Sequence, residues 1–172
     1  MAILKTTAGD IHVRLDASAA PITTANFIQY ARGGHYDGTI FHRVIQGFMI
    51  QGGGMNAAMQ EKKTLAPIKN ESTNGKSNRK YTIAMARTNI PDSATSQFFI
   101  NTNDNLFLDR SRASDGVGYA VFGEVVSGME VVDKIEGVKT GSRGHHDDVP
   151  LQAIEILSVE LEQGEVGSDA GR

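Results

Sequence analysis

The sequence predicts a mainly β fold, a closed eight-stranded antiparallel barrel capped by two α-helices. Three observations predict it. About eight short β-type runs are spread along the 172 residues. Only two helical patterns occur, far apart, so strands and helices do not alternate as a doubly wound parallel sheet requires. No internal repeat and no linker divides the chain, and its length suits one domain around one core.

The elements follow in order. Residues 2–7 and 10–15 are β-type runs around Ala8-Gly9-Asp10, a hairpin with a glycine-containing turn. Ile11, Val13 and Leu15 alternate with His12 and Arg14, which buries one face and wets the other. His12 is then an exposed strand residue, not a ligand. "PITTANFIQYARGG" reads as an amphipathic helix of about 12 residues. Pro21 suits its first position, having no N–H to leave unpaired, and Gly33 and Gly34 stop it. Ile22, Ala25 and Ile28 recur at three-residue spacing, joined by Phe27 and Ala31, and this face is expected to lie on the sheet. Phe27 and Tyr30 are read as core and its border rather than as a binding platform.

Residues 40–45 and 48–51 are strands joined near Gln46-Gly47. The polar segment 52–80 is too long for a plain connection, so it is either functional or a folded surface loop. "YTIAMA" (81–86) and "SQFFIN" (96–101) are strands flanking "RTNIPDSAT", and "GYAVFGEVV" (118–126) is another. "SGMEVVDKIEG" is a short helix with Met129, Val132 and Ile135 on one side and Gly137 as its stop. "AIEILSVEL" (153–161) closes the sheet, burying Ile154, Ile156, Val159 and Leu161. The domain then spans 1–162, and the small, polar residues 163–172 are expected to form a disordered tail.

Composition removes several function classes. The chain has no cysteine, which excludes disulfides, thiolate metal sites and a cysteine nucleophile. Its net charge is −3 with scattered Lys and Arg, so nucleic-acid binding has no electrostatic footprint; "KSNRK" (76–80) reads as a solvated loop. Met1 leads straight into strand pattern, without the apolar core and cleavage site of a signal peptide. No apolar run is long enough to span a membrane. Cytoplasmic residence is therefore expected. "QGGGM" and "GKS" (75–77) suggest a phosphate loop, but its first glycine would fall at Asn70 and the strand–loop–helix context is missing. "HHDD" (145–148) has metal-ligand residue types, yet adjacent loop residues rarely converge on one ion, so an exposed loop is expected. No nucleophile motif is present. Neither metal nor cofactor is expected.

What remains centres on Arg43, inside the apolar run "IFHRVIQGFMIQGGG" (40–54). This stretch alone allows two readings: a solvated strand arginine whose stem covers its neighbours, or a guanidinium facing a shallow apolar pocket. In "SQFFI", Phe98 and Ile100 share one strand face while Gln97 and Phe99 share the other, so both faces meet something apolar. Met49 and Gln51 likewise place an apolar group beside an amide. "DNLFLD" adds Phe107 and Leu108 on a loop.

"FHRVIQGFMIQGG", "AMAR…SATSQFFIN" and "GYAVFGEVVSGMEVVDKI" together resemble the cyclophilin family of peptidyl-prolyl cis-trans isomerases, in its bacterial cytoplasmic branch, over residues 3–161. The resemblance implies an eight-stranded barrel with two capping helices, in accord with the reading above. It implies that Arg43 is catalytic, and that Phe48, Met49, Phe99 and Leu108 wall a proline pocket. By the same resemblance Gln51 steadies the substrate backbone, the strand end at Ala86 and Arg87 pairs with the peptide before the proline, and Gln97 lines the groove. Three positions depart from the eukaryotic pattern: Phe107 replaces a tryptophan, Tyr119 a histidine beside the pocket, and Arg87 an asparagine. Losing the indole N–H donor implies at most weak cyclosporin binding. Proline-containing peptides and unfolded proteins are the implied partners of a monomer. Two other classes share these features: a proline-binding scaffold, from which Arg43 distinguishes the enzyme, and an assembly protein packing through Phe99 and Met49.

Overall fold

The computed structural model describes residues 1–162, and the expected tail at 163–172 lies outside the described residues. Strands β1 (Ala2–Thr6) and β2 (Gly9–Leu15) form the predicted hairpin, with Ile11 and Val13 buried and His12 half-buried. Helix α1 (Pro21–Arg32) follows. Then come β3 (Thr39–Ile40), β4 (Arg43–Ile45), β5 (Met49–Gly52), β6 (Thr82–Met85), β7 (Phe98–Asn101) and β8 (Val121–Ser127). Helix α2 (Met129–Glu136) leads to β9 (Thr140–Arg143), β10 (His146–Pro150) and β11 (Glu155–Leu161). Nine strands form one antiparallel sheet in the order β3-β11-β1-β2-β8-β6-β7-β5-β4, and β9 and β10 pair separately.

The closed eight-stranded barrel is therefore corrected to a curled nine-stranded sheet whose ladder does not close. Residues 40–45 are not one strand, because the chain changes partners at Phe41-His42. Thr39 and Ile40 pair with β11, whereas Arg43 to Ile45 pair with β5 at the other end of the sheet. The two edges are thus joined by two residues of covalent chain instead of by a hydrogen-bonded seam.

Strand parity divides the apolar residues into two clusters. Phe98, Ile100, Ile50, Ile83 and Phe122 face the main core, with Phe27 of α1 packed on Tyr36, Phe98 and Phe122 at centroid distances of 5.1, 5.7 and 5.4 Å. Met49, Ala84, Ala86, Phe99 and Val121 face the other way and form a smaller cluster, against which Phe48, Leu108 and Tyr119 pack.

Helix α1 is rotated from the expected face. Ile22 is 44% exposed and Ala25 is exposed, while Thr23, Asn26, Phe27, Tyr30 and Ala31 are buried. Phe27, the largest apolar side chain on the helix, sets the rotation; of the buried polar side chains Thr23 and Asn26 find partners, while the Thr24 hydroxyl has none among the described residues. The Glu71 carboxylate accepts from the Thr23 N–H (2.7 Å), the Ile22 N–H (3.1 Å) and the Thr23 hydroxyl (2.6 Å), and Asn26 donates to the Thr95 carbonyl (2.8 Å).

Segment 52–80 is accordingly a folded strap, fixed by Glu71, by Lys62 to the His35 carbonyl and by Ser72 to the Val117 carbonyl. "HHDD" also departs from the expected loop, since His146 to Asp148 belong to the β9–β10 hairpin. Among the described residues no helix is long and apolar enough to cross a membrane.

Candidate active site

The register of the outer sheet face brings the candidate residues into one row. Arg43 on β4 opposes Gln51 on β5, Gln51 opposes Phe99 on β7, and Phe99 opposes Ala84 on β6. A hollow of about 110 Å³ opens on this row. Cavities of roughly 150 Å³ admit benzene, so this one suits a single five-membered ring. Phe48, Met49, Phe99, Leu108 and Tyr119 form its walls, with Arg43, Gln51, Ala86 and Arg87 at its polar margin.

Each group is held differently. Arg43 is exposed, and no hydrogen bond or ion pair engages its guanidinium among the described residues. Gln51 is half-buried and donates from Nε2 to Gln97 Oε1 (2.9 Å), which fixes its amide and leaves its carbonyl oxygen unengaged among the described residues. Gln97 thus supports Gln51 from outside the hollow's lining. The Ala86 N–H is bonded to the Gln97 carbonyl (3.0 Å), tying the end of β6 to β7. Phe107 is 57% exposed on the 3₁₀ turn Leu106–Leu108, where it stacks on Phe48 (5.8 Å, 28°), outside the lining.

At the strand end expected to pair with the peptide, the Arg87 side chain is committed to internal partners. It is 3% exposed and fully engaged. It donates to the Gly118 carbonyl (2.7 and 3.2 Å), the Thr88 carbonyl (2.9 Å) and Asp115 (2.8 Å), and its guanidinium lies 4.4 Å from the Tyr119 ring centroid. Tyr119 in turn meets Phe99 edge-on at 5.6 Å. Arg87 is therefore a buttress behind the aromatic wall. The hydrogen bond from Arg87, with the N–H groups of Val117 and Gly118, holds the Asp115 carboxyl well below the usual carboxylate range.

Asp115 and Asn105 were not singled out in the sequence. Asn105 donates to the Phe48 carbonyl (2.7 Å) and to Asn101 (2.8 Å), anchoring one wall. The Asp115-Gly116 pair signals a turn, but nothing local signals its arginine partner. Beneath Arg43, His42 is 6% exposed; burial, followed by the charges of His146 and Arg43, pushes its pKa down to about 4.

With this geometry in place, the chain can be set against known proteins. Residues 1–161 match the family of cyclophilin-type peptidyl-prolyl cis-trans isomerases. The chain is 58% identical to the peptidyl-prolyl cis-trans isomerase cyp18 of Streptomyces antibioticus over 159 residues, covering 92% of this chain and 96% of that one. It is 54% identical to peptidyl-prolyl cis-trans isomerase B of Escherichia coli over 164 residues, covering 95% and 100%. A crystal structure of a Cryptosporidium parvum cyclophilin-type isomerase, determined in the presence of the dipeptide Ala-Pro, shares the fold with a TM-score of 0.76 at 24% identity, covering 94% of this chain and 98% of that one. Fold, sequence and relatives agree, and the chain belongs to the cyclophilin-type peptidyl-prolyl cis-trans isomerases.

Proposed function

We propose that this isomerase turns X-Pro bonds by seating the proline ring in the 110 Å³ hollow and stabilising the twisted amide with Arg43. The observation that carries this reading is a guanidinium with no partner among the described residues, at the margin of an apolar hollow and beside an amide fixed by a neighbour. An X-Pro amide resists rotation by about 18–20 kcal/mol because its C–N bond has double-bond character. No bond breaks, so the catalyst need only bind the twisted form better than either planar one. On twisting, the nitrogen regains a lone pair and becomes an acceptor. Arg43 offers a hydrogen bond that the planar ground state cannot take. The guanidinium is permanently charged and no proton moves, so the chemical step is flat with pH near neutrality.

One such bond contributes about 1.5–3 kcal/mol, whereas an acceleration on the order of 10⁵ needs about 7. Geometry supplies the remainder. The hollow clamps the ring, Gln51 and the Ala86–Arg87 strand end hold the peptide, and the aromatic walls lower the local dielectric. Substrates are proline-containing peptides and unfolded chains, handled by a cytoplasmic monomer whose role is to assist folding. Phe107 lacks an indole N–H, so cyclosporin binds weakly at most. Met49 and Phe99 are 2% and 4% exposed, which leaves no apolar face of the kind an assembly role through them requires.

Exchange-spectroscopy NMR of a short Ala-Pro peptide tests this reading. Micromolar protein is expected to bring cis–trans exchange from tens of seconds into the sub-second range. Unchanged exchange alongside observable peptide binding would instead favour a non-catalytic proline-binding module.

A further inference from the structure

A second hollow, about 320 Å³ in volume, shares Arg43 with the proline hollow. The edge strand β4 has β5 on one side and the β9–β10 hairpin packed against the other. His42, Arg43, Met55 and Gln97 form the inner walls of this hollow, and His145 to Asp148 form its outer wall. The isomerisation step described above makes no use of it.

Its lining is rich in acceptors. The hairpin register breaks between His146 and Val149, so Asp147 and Asp148 form a bulge, and Asp148 takes φ 61°. That left-handed conformation is uncommon outside glycine, and bulges beside active sites re-aim side chains. Asp147 accepts one bond, from the Ser142 hydroxyl (2.8 Å), and Asp148 has no hydrogen bond or ion pair among the described residues. His42 lies at the inner side of this hollow. It is 6% exposed, and its Nδ1 is buried without a partner among the described residues. Burial holds the ring neutral, and a neutral imidazole retains one acceptor nitrogen. Two carboxylates thus line the hollow with a single fixed cation, Arg43. What the site lacks is a donor-bearing positive group. Met55 supplies an apolar wall for an aliphatic stem.

We propose that this hollow binds the side chain of a lysine or arginine that follows the proline in the substrate. The inference rests on the proline reading of the first hollow. There the residues before the proline lie at the β6 end of the row Ala84–Phe99–Gln51–Arg43, so the chain leaving the proline passes Arg43 toward the hairpin. A cation meets a net excess of one negative charge there, and an acidic residue meets two carboxylates.

The test uses peptides carrying Lys, Ala or Glu after the proline, and a matching set with the same residues before it, followed by exchange NMR at low salt. With the residue after the proline, kcat/KM for Lys is expected to exceed that for Glu by roughly three- to ten-fold. The ratio should fall toward one at about 0.5 M salt, and also in the Asp147→Asn, Asp148→Asn double variant, whose fold is checked by near-UV circular dichroism. A wild-type ratio near one, an undiminished ratio in the variant, or a charge preference confined to the residue before the proline would overturn the assignment. Such results would leave the isomerase reading intact. Failure of the wild type to turn over any of the peptides would instead remove the proline reading beneath it.

Discussion

Arg43 and Arg87 stand at the margin of one hollow under opposite constraints. Arg43 is exposed and unengaged among the described residues, and Arg87 is 3% exposed and bonded to Thr88 and to Asp115 and Gly118 of one turn. An arginine that must meet a transient lone pair cannot be committed elsewhere, whereas one that stiffens a wall should be. Arg87→Ala should therefore act through Tyr119 and the 115–118 turn, removing the cation–π contact and the latch to Asp115. KM for an Ala-Pro peptide is expected to rise roughly three- to ten-fold with a smaller change in kcat, as steady-state kinetics would measure. An equal loss in kcat and kcat/KM would show that Arg87 acts on the twisted amide itself. Parity put Gln97 and Phe99, and Met49 and Gln51, each on one face of its strand; joining them to Arg43 came from the family resemblance, and the row itself from the register. The direction of the Arg87 side chain was not legible in the sequence, because it depends on Asp115, 28 residues further along.

Among the elements, strands were easier to read than helix faces. The alternation in β2 and in "SQFFI" maps directly onto the two faces of the sheet. In α1 Phe27 and Ala31 are buried as read, but Ile22 and Ala25 are exposed, because the burial of Thr23 and Asn26 depends on acceptors from Glu71 and Thr95 that no local pattern reveals. The "QGGG" run has a packing cause. Gly53 adopts φ 92°, and a Cβ there would lie 2.8 Å from the Phe98 ring; a side chain on Gly54 would collide with that of Gln97. Segment 52–80 caps the N-terminus of α1 through Glu71. Glu71→Ala strips the acceptor from two N-terminal N–H groups and should cost about 1–2 kcal/mol in denaturant unfolding, with kcat/KM on an Ala-Pro peptide retained. A loss under about 0.3 kcal/mol, the level of an inert surface change, would show that the strap is held by its other bonds.

At the scale of the whole molecule, the sheet curls until its first and last strands meet through Phe41 and His42, the residues just before Arg43. Strand counting gave the curl and the antiparallel order. It missed the open seam, because the change of partner inside 40–45 leaves no mark in an apolar run. Burying His42 at this junction links folding to pH. Its folded pKa of about 4 lies below the ordinary 6.5, so the unfolded chain takes up the proton first as pH falls. Stability should be level above pH 6.5 and be lost progressively from there to pH 4, by a total on the order of 3 kcal/mol. His35, pushed down chiefly by burial, acts in the same direction. Urea unfolding across roughly pH 4–8, with His42→Gln as the comparison, should show the slope in the wild type and a shallower one in the variant. All of this architecture holds one cation beside one small hollow. The most direct measurement is the kcat/KM of Arg43→Ala on an Ala-Pro peptide by exchange NMR, with peptide affinity followed by titration. A fall of roughly 10- to 150-fold with modest affinity preserved is predicted, and a rate near wild type would contradict the account.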